Sequence, residues 1–176
     1  MDEVGRPRPL TTSRSALLSE GTDQAFREMI GELIAFSGRL QEIREAIARA
    51  MGVTPPQYNI VMTLSQLGDE VTVTDLAERL RVSVPFIVTE TRRLEELGLL
   101  EKRGDPVDRR RVKLVLTDEA AAALDEIAPV QVRVNDVLFQ TLGPRDLKSL
   151  SRLTRGLLGS CDAALEEARA AGRAEV

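Results

Sequence analysis

Along the first third of the chain, apolar residues recur at alternating steps of three and four: Phe26, Met29, Leu33, Phe36, Leu40, Ile43 and Ile47. This spacing keeps one face of an α-helix apolar and predicts a long helix from Thr22, as N-cap with Asp23 in the first turn, to about Ala50. Such a seam suits either the spine of a helical core or a dimer surface, and the pattern does not choose between them. Thr54, Pro55, Pro56 and Gln57 then open a second helix. Thr54 is a capping residue, proline is tolerated where its missing N–H has no partner, and Gln57 stands where it closes a capping box. Tyr58, Val61, Leu64 and Leu67 fall on its inner face, and Gly68 ends it.

The middle of the chain changes rhythm. Thr72 and Asp75 have capping-box spacing and introduce a short helix carrying Leu76, Ala77 and Leu80. Arg81 to Ser83 break it, and a fourth helix follows from Val84 to about Leu97, with Ser83 as N-cap, Pro85 in the first turn and Gly98 as its stop. Two short helices joined by a tight turn form a helix-turn-helix. Leu99 to Arg103 and Val112 to Leu116 are extended runs separated by an Arg-rich loop, which makes a wing. Thr117 caps a long fifth helix in which Pro129 predicts a kink or a division at Ala128. A last helix begins beyond Gly143 and Pro144, with Leu147, Leu150, Leu153, Leu157 and Leu158 on one face.

The predicted fold is mostly α with a small β-wing, a winged helix-turn-helix with helical dimerisation extensions. Residues 1–21 are expected to be a flexible arm, 22–53 and 118–162 the helical dimerisation region, 54–117 the DNA-binding domain, and 163–176 a frayed tail. Composition agrees, since aromatics are 3% and the apolar content rests on Leu, Val, Ala and Ile, which favours helix-on-helix packing. No run approaches the ~20 apolar residues of a membrane span, so a cytoplasmic chain without membrane contact is expected. Cys161 is the only cysteine and histidine is absent, which argues against a disulfide, a zinc site and most nucleophilic catalysis. No metal, no cofactor and no enzymatic activity are expected, and Cys161 reads as a small core residue.

The net charge of −4 speaks against nucleic acid until its distribution is considered. Lys102, Arg103, Arg109, Arg110, Arg111 and Lys113 crowd the wing against only Asp105 and Asp108. On the fourth helix, Ile87, Thr91, Leu94 and Leu97 form an inward stripe. Pro85, Phe86, Thr89, Arg92 and Arg93 remain on the open side, with Ser83 and Val84 at its start. A hydroxyl, apolar groups near the N-terminus and two arginines suit insertion into a DNA major groove. The alternative is that Phe86 is buried and the arginines share a solvated face with Glu90, Glu95 and Glu96. Arg109 to Arg111 at a loop tip suit an adjacent minor groove, with the Asp108 carboxylate orienting an arginine. A ligand pocket, if present, would draw on Phe36, Arg39, Leu40, Tyr58 and Met62.

Together, the opening at Thr54 to Gln57, the segments VTDLAERL from Val73 and LEELGLLEKR from Leu94, and above all DPVDRRRVKLVLT from Asp105, resemble the MarR family of winged-helix regulators. The resemblance covers about Ala25 to Ser160. It implies a homodimer made by interleaving the first, fifth and sixth helices, which reads a pseudo-palindrome in double-stranded DNA. It also implies Ser83 to Arg93 as the recognition segment, Arg110 as the wing-tip contact oriented by Asp108, and release by a small aromatic or phenolic effector. Thiol sensing is disfavoured, because relatives of the peroxide-sensing type carry their cysteine in the first helix. Pro129 and the long arm depart from the family pattern. A dimeric protein-interaction module on the same fold, without DNA binding, is the alternative from a different class.

Overall fold

The computed structural model describes residues 8–68, 71–104 and 112–173. The elements are α1 (Gln24–Ala50), α2 (Pro55–Leu67), α3 (Val73–Leu80), α4 (Val84–Glu96), β1 (Leu100–Gly104), β2 (Val112–Leu116), α5 (Asp118–Leu138) and α6 (Pro144–Arg173). The chain divides at Pro129, inside α5, into two compact units.

Local chemistry sets the helix ends. The Thr54 N–H donates to Gln57 Oε1 at 3.0 Å, closing the capping box of α2. At α3, Asp75 Oδ2 accepts from the Thr72 N–H at 2.9 Å, and the Asp75 N–H donates back to Thr72 Oγ1 at 3.2 Å. The turn into α4 passes through Arg81 at φ 54°, a left-handed residue whose αL position lets the Val82 N–H reach back to the Ala77 carbonyl at 3.1 Å. Ser83 Oγ then accepts from the Phe86 N–H at 3.3 Å and starts α4. At the far end Gly98, at φ 71°, turns the chain so that the Leu99 N–H meets the Leu94 carbonyl at 2.9 Å.

β1 and β2 pair antiparallel from Leu100↔Leu116 to Gly104↔Val112. The Leu114 N–H donates to the Val71 carbonyl at 2.8 Å, which ties the residues before α3 to the wing. Thr117 Oγ1 donates to the Gly98 carbonyl at 2.7 Å and accepts from the Ala120 N–H at 3.2 Å, so one hydroxyl caps α5 and pins it to the end of α4. Between these elements lies the core: Ile60, Val61 and Leu64 of α2, Leu76 and Ala77 of α3, Ile87 and Leu94 of α4, Leu100 of β1 and Leu114 of β2. Burying each of the larger side chains contributes about 1.5–3 kcal/mol.

The seam on α1 is buried towards its C-terminal end and open towards its N-terminal end. Ile47 and Ala48 are buried, while Met29, Leu33 and Phe36 are exposed in the chain. Arg44 joins α1 to α2, donating to Asn59 Oδ1 at 2.9 and 2.6 Å with its guanidinium over the Tyr58 ring.

Several expectations are corrected. Asp23, not Thr22, flanks α1, because the Thr22 hydroxyl donates to the Ser19 carbonyl within a tight turn. Within the expected flexible arm, residues 1–21, there is a specific contact to α1: Asp23 Oδ2 accepts from both the N–H and the hydroxyl of Thr11 at 2.6 Å. Arg27 donates to Asp23 Oδ1 at 2.9 Å and also to the Pro9 carbonyl. Polar composition hid this clasp, which is built from hydrogen bonds and not from apolar burial. Of the kink or division expected at Pro129, the division does not occur: α5 is helical from Asp118 through Leu138 with Pro129 inside it. α6 remains helical to Arg173, as its Ala, Glu and Arg content favours. Cys161 is exposed in the chain, on a helix that buries none of its described residues, and its thiol donates to the Leu157 carbonyl at 3.3 Å.

Truncating Leu94 to alanine, in the core, is expected to lower stability by about 2–5 kcal/mol in chemical denaturation, and Leu97→Ala by under ~0.5 kcal/mol. The hydrogen bonds from Thr11, followed by that from Arg27, hold the Asp23 carboxyl well below the usual carboxylate range. A lowered native pKa adds stability above the unfolded value of ~3.9, lost as pH falls toward the native value. In an NMR titration the Thr11 amide shift is therefore expected to stay in place through pH 4 and to move only in stronger acid. In Asp23→Asn that acid-induced movement disappears.

Candidate nucleic-acid interface

α4 has two chemically distinct faces. Ile87, Thr91 and Leu94 are fully buried, and the Thr91 hydroxyl donates to the Ile87 carbonyl at 2.8 Å, so the stripe contains no unmet polar group. Leu97, expected on this stripe, is 53% exposed. Gly98 turns the chain just beyond it, and Leu100 of β1 fills the core instead.

Sequence reasoning missed Glu90, which is 5% exposed. Its Oε2 accepts from Gln57 Nε2 at 3.3 Å, and its Oε1 from Arg93 Nη1 at 2.6 Å. Gln57 thus works at both ends, its oxygen capping α2 and its nitrogen holding α4. The signal was present, because Glu90 stands three residues after Ile87 and four before Leu94, on the same inner arc. A buried carboxylate is stable only when paired in this way. Among the described residues, no buried side-chain nitrogen or oxygen lacks a partner.

The opposite face stands open. Ser83, Val84, Pro85, Phe86, Thr89, Arg92 and Arg93 are all exposed, which removes the reading in which Phe86 is buried. Arg92 Nε pairs with Glu96 Oε1 at 3.1 Å with both side chains in solvent. An exposed pair of this kind contributes about 0–1 kcal/mol, so an approaching phosphate competes readily for the arginine. On β1, Lys102 pairs with Glu95 and Arg103 with Glu101. Asp108, Arg109, Arg110 and Arg111 lie outside the described residues.

The residues considered for a ligand pocket differ in exposure. Phe36 is exposed, Arg39 is exposed and paired with Glu42 at 2.7 Å, Leu40 and Met62 are half-buried, and Tyr58 is buried beside Arg44. A described cavity of about 710 Å³ lies between Leu10, Thr22, Asp23, Arg27 and their neighbours. Among the described residues there is no cluster of three or more metal-ligating side chains. No described helix is long and apolar enough to cross a membrane.

A helix-turn-helix whose second helix shows an open face, followed by a two-stranded wing, defines a winged helix-turn-helix protein. Residues 51–111 match the model of the MarR family. The chain is similar to the HTH-type transcriptional repressor MdtR of Bacillus subtilis, 29% identical over 109 residues, covering 61% of this chain and 69% of that protein. It is also similar to the transcriptional repressor MprA of Escherichia coli, 28% identical over 125 residues, covering 70% and 71% of the two chains. In fold it resembles AbsC, a MarR family transcriptional regulator from Streptomyces coelicolor, with a TM-score of 0.68 and 24% identity over 83% of this chain and 97% of that one. Residues 51–111 thus carry the match to the MarR family, and the fold, mostly helical with a two-stranded antiparallel wing, is the one seen in AbsC.

Replacing Glu90 with alanine leaves the buried Gln57 amide without its acceptor, a loss of about 1–3 kcal/mol. Urea denaturation should show that loss. An unchanged midpoint would mean that the Gln57 contact does not hold α4.

Proposed function

We propose that this MarR-type regulator is a repressor that binds a pseudo-palindromic operator in double-stranded DNA as a homodimer. The observation that carries this reading is the open face of α4, held outward by the buried stripe behind it. Ser83, Val84, Pro85, Phe86, Thr89, Arg92 and Arg93 form the recognition segment. Arg109, Arg110 and Arg111 form the wing contact, with Asp108 orienting Arg110. The names of the curated relatives, both repressors, support the direction of control.

Dimerisation is supported by apolar faces that the chain leaves uncovered. On α1, Met29, Leu33, Ile34 and Phe36 are exposed, and on α6 so are Leu147, Leu150, Leu157 and Leu158. Large apolar side chains exposed along one helix, as on each of these, mark a candidate association site. In the proposed protein, residues 22–53 and 118–162 make the dimer, 54–117 bind DNA, and the whole works in the cytoplasm. Release by a small aromatic or phenolic effector follows from the family resemblance, with Phe36, Arg39, Leu40, Tyr58 and Met62 as the residues to probe.

Selection of bound fragments from random duplex DNA, with and without aromatic acids, tests the reading. Binding to the selected duplex should weaken steeply with salt. Arg92→Ala should reduce the slope of log affinity against log salt by about one, and Arg110→Ala should cost about 1–3 kcal/mol. A stable dimer that retains no duplex at low salt would contradict the proposal and leave the interaction-module alternative.

A further inference from the structure

The open face of α4 carries unusual chemistry for a helix that reads bases. At steps of three and four its centre line runs Pro85, Thr89, Arg92, with Val88 beside it. Val88 is 48% exposed and Val84 42% exposed, although both are aliphatic and stand on a helix with a well-filled inner face. The first polar donor along this line is constrained, because the Thr89 hydroxyl donates to the Pro85 carbonyl at 3.0 Å. Its single proton is taken, which leaves its methyl and its acceptor lone pairs. Ser83 Oγ accepts from the Phe86 N–H as the helix cap, so its own proton lies at the very start of α4, ahead of this line. No asparagine, glutamine or lysine lies anywhere on α4, and Arg92 is the first charged donor on the centre line, more than one turn beyond Pro85.

Major-groove edges are told apart by hydrogen bonds or, for thymine, by its C5-methyl group. The leading turns of α4 have little to offer the first and several aliphatic surfaces for the second. We infer that Pro85, Val88 and Thr89 recognise thymine methyl groups, so that each half-site presents thymines to the leading turns of α4 and a phosphate or guanine to Arg92. This rests on the DNA-binding reading above and assigns its specificity. Exposed Val84 and Val88 cost little in water because they are few, and they gain a partner only in the groove.

The test uses the duplex recovered by selection, made in two forms, with thymine and with uracil replacing thymine in both half-sites. Uracil keeps the base pair and the phosphates and lacks only the methyl. The full-length protein is expected to bind the uracil form about fourfold more weakly per contacted methyl, the effect of burying one such group. In Val88→Ala and in Thr89→Ser, which keeps the hydroxyl, the penalty at one position per half-site should shrink toward none, while salt dependence stays unchanged. Equal, salt-dependent binding of both forms by the unaltered protein would overturn the methyl assignment and leave DNA binding standing. A uracil penalty identical in all three proteins would overturn the assignment to these side chains. Failure to retain any duplex would remove the DNA-binding reading and this inference with it.

Discussion

The structure turns on the burial of one stripe of α4. Ile87, Thr91 and Leu94 have no exposed surface, and they meet α2, α3 and the wing through a shared core. Once that stripe is fixed inward, helical geometry leaves no choice about the residues on the other side. Pro85, Thr89 and Arg92 must face out, with Phe86 and Arg93 on one flank and Val88 on the other. The functional surface is therefore a consequence of packing, and its orientation is only as firm as the core behind it.

A second contact refines that orientation. Gln57 joins the first turn of α2 to Glu90 in the middle of α4, and Glu90 in turn holds Arg93. Apolar packing alone tolerates small rotations of a helix. A buried, hydrogen-bonded carboxylate does not, because losing a partner leaves a desolvated charge. The same network draws Arg93 toward its own helix, so that Arg92, paired only in solvent with Glu96, is the arginine most available to a phosphate. Acidic side chains thus set the posture of the basic ones in a chain whose net charge is negative.

Much of this was legible in the sequence. The helix-turn-helix and wing follow from capping boxes, a Pro in the first turn, Gly98 and a change of period, all of them local signals. What was not legible depends on contacts distant along the chain. The Thr11 to Asp23 clasp joins residues that no periodicity links, so residues 1–21 read as a flexible arm without it. Glu90 was set aside as a surface charge because its partner, Gln57, lies in another helix. Leu97 was placed inward by spacing alone, although Gly98 ends the helix before that spacing can be used. Cys161 was assigned to a core by residue type, yet it stands among the uncovered leucines of α6.

The central claim is that α4 is a groove-reading helix used in pairs. Methylation protection of the selected duplex reports it most directly, because guanine N7 lies in the major groove. Two protected half-sites are expected on one face of the duplex, centred about one helical turn, ~34 Å, apart or a multiple of it. A single protected stretch, or protection absent from the major groove while the protein remains bound, would contradict it.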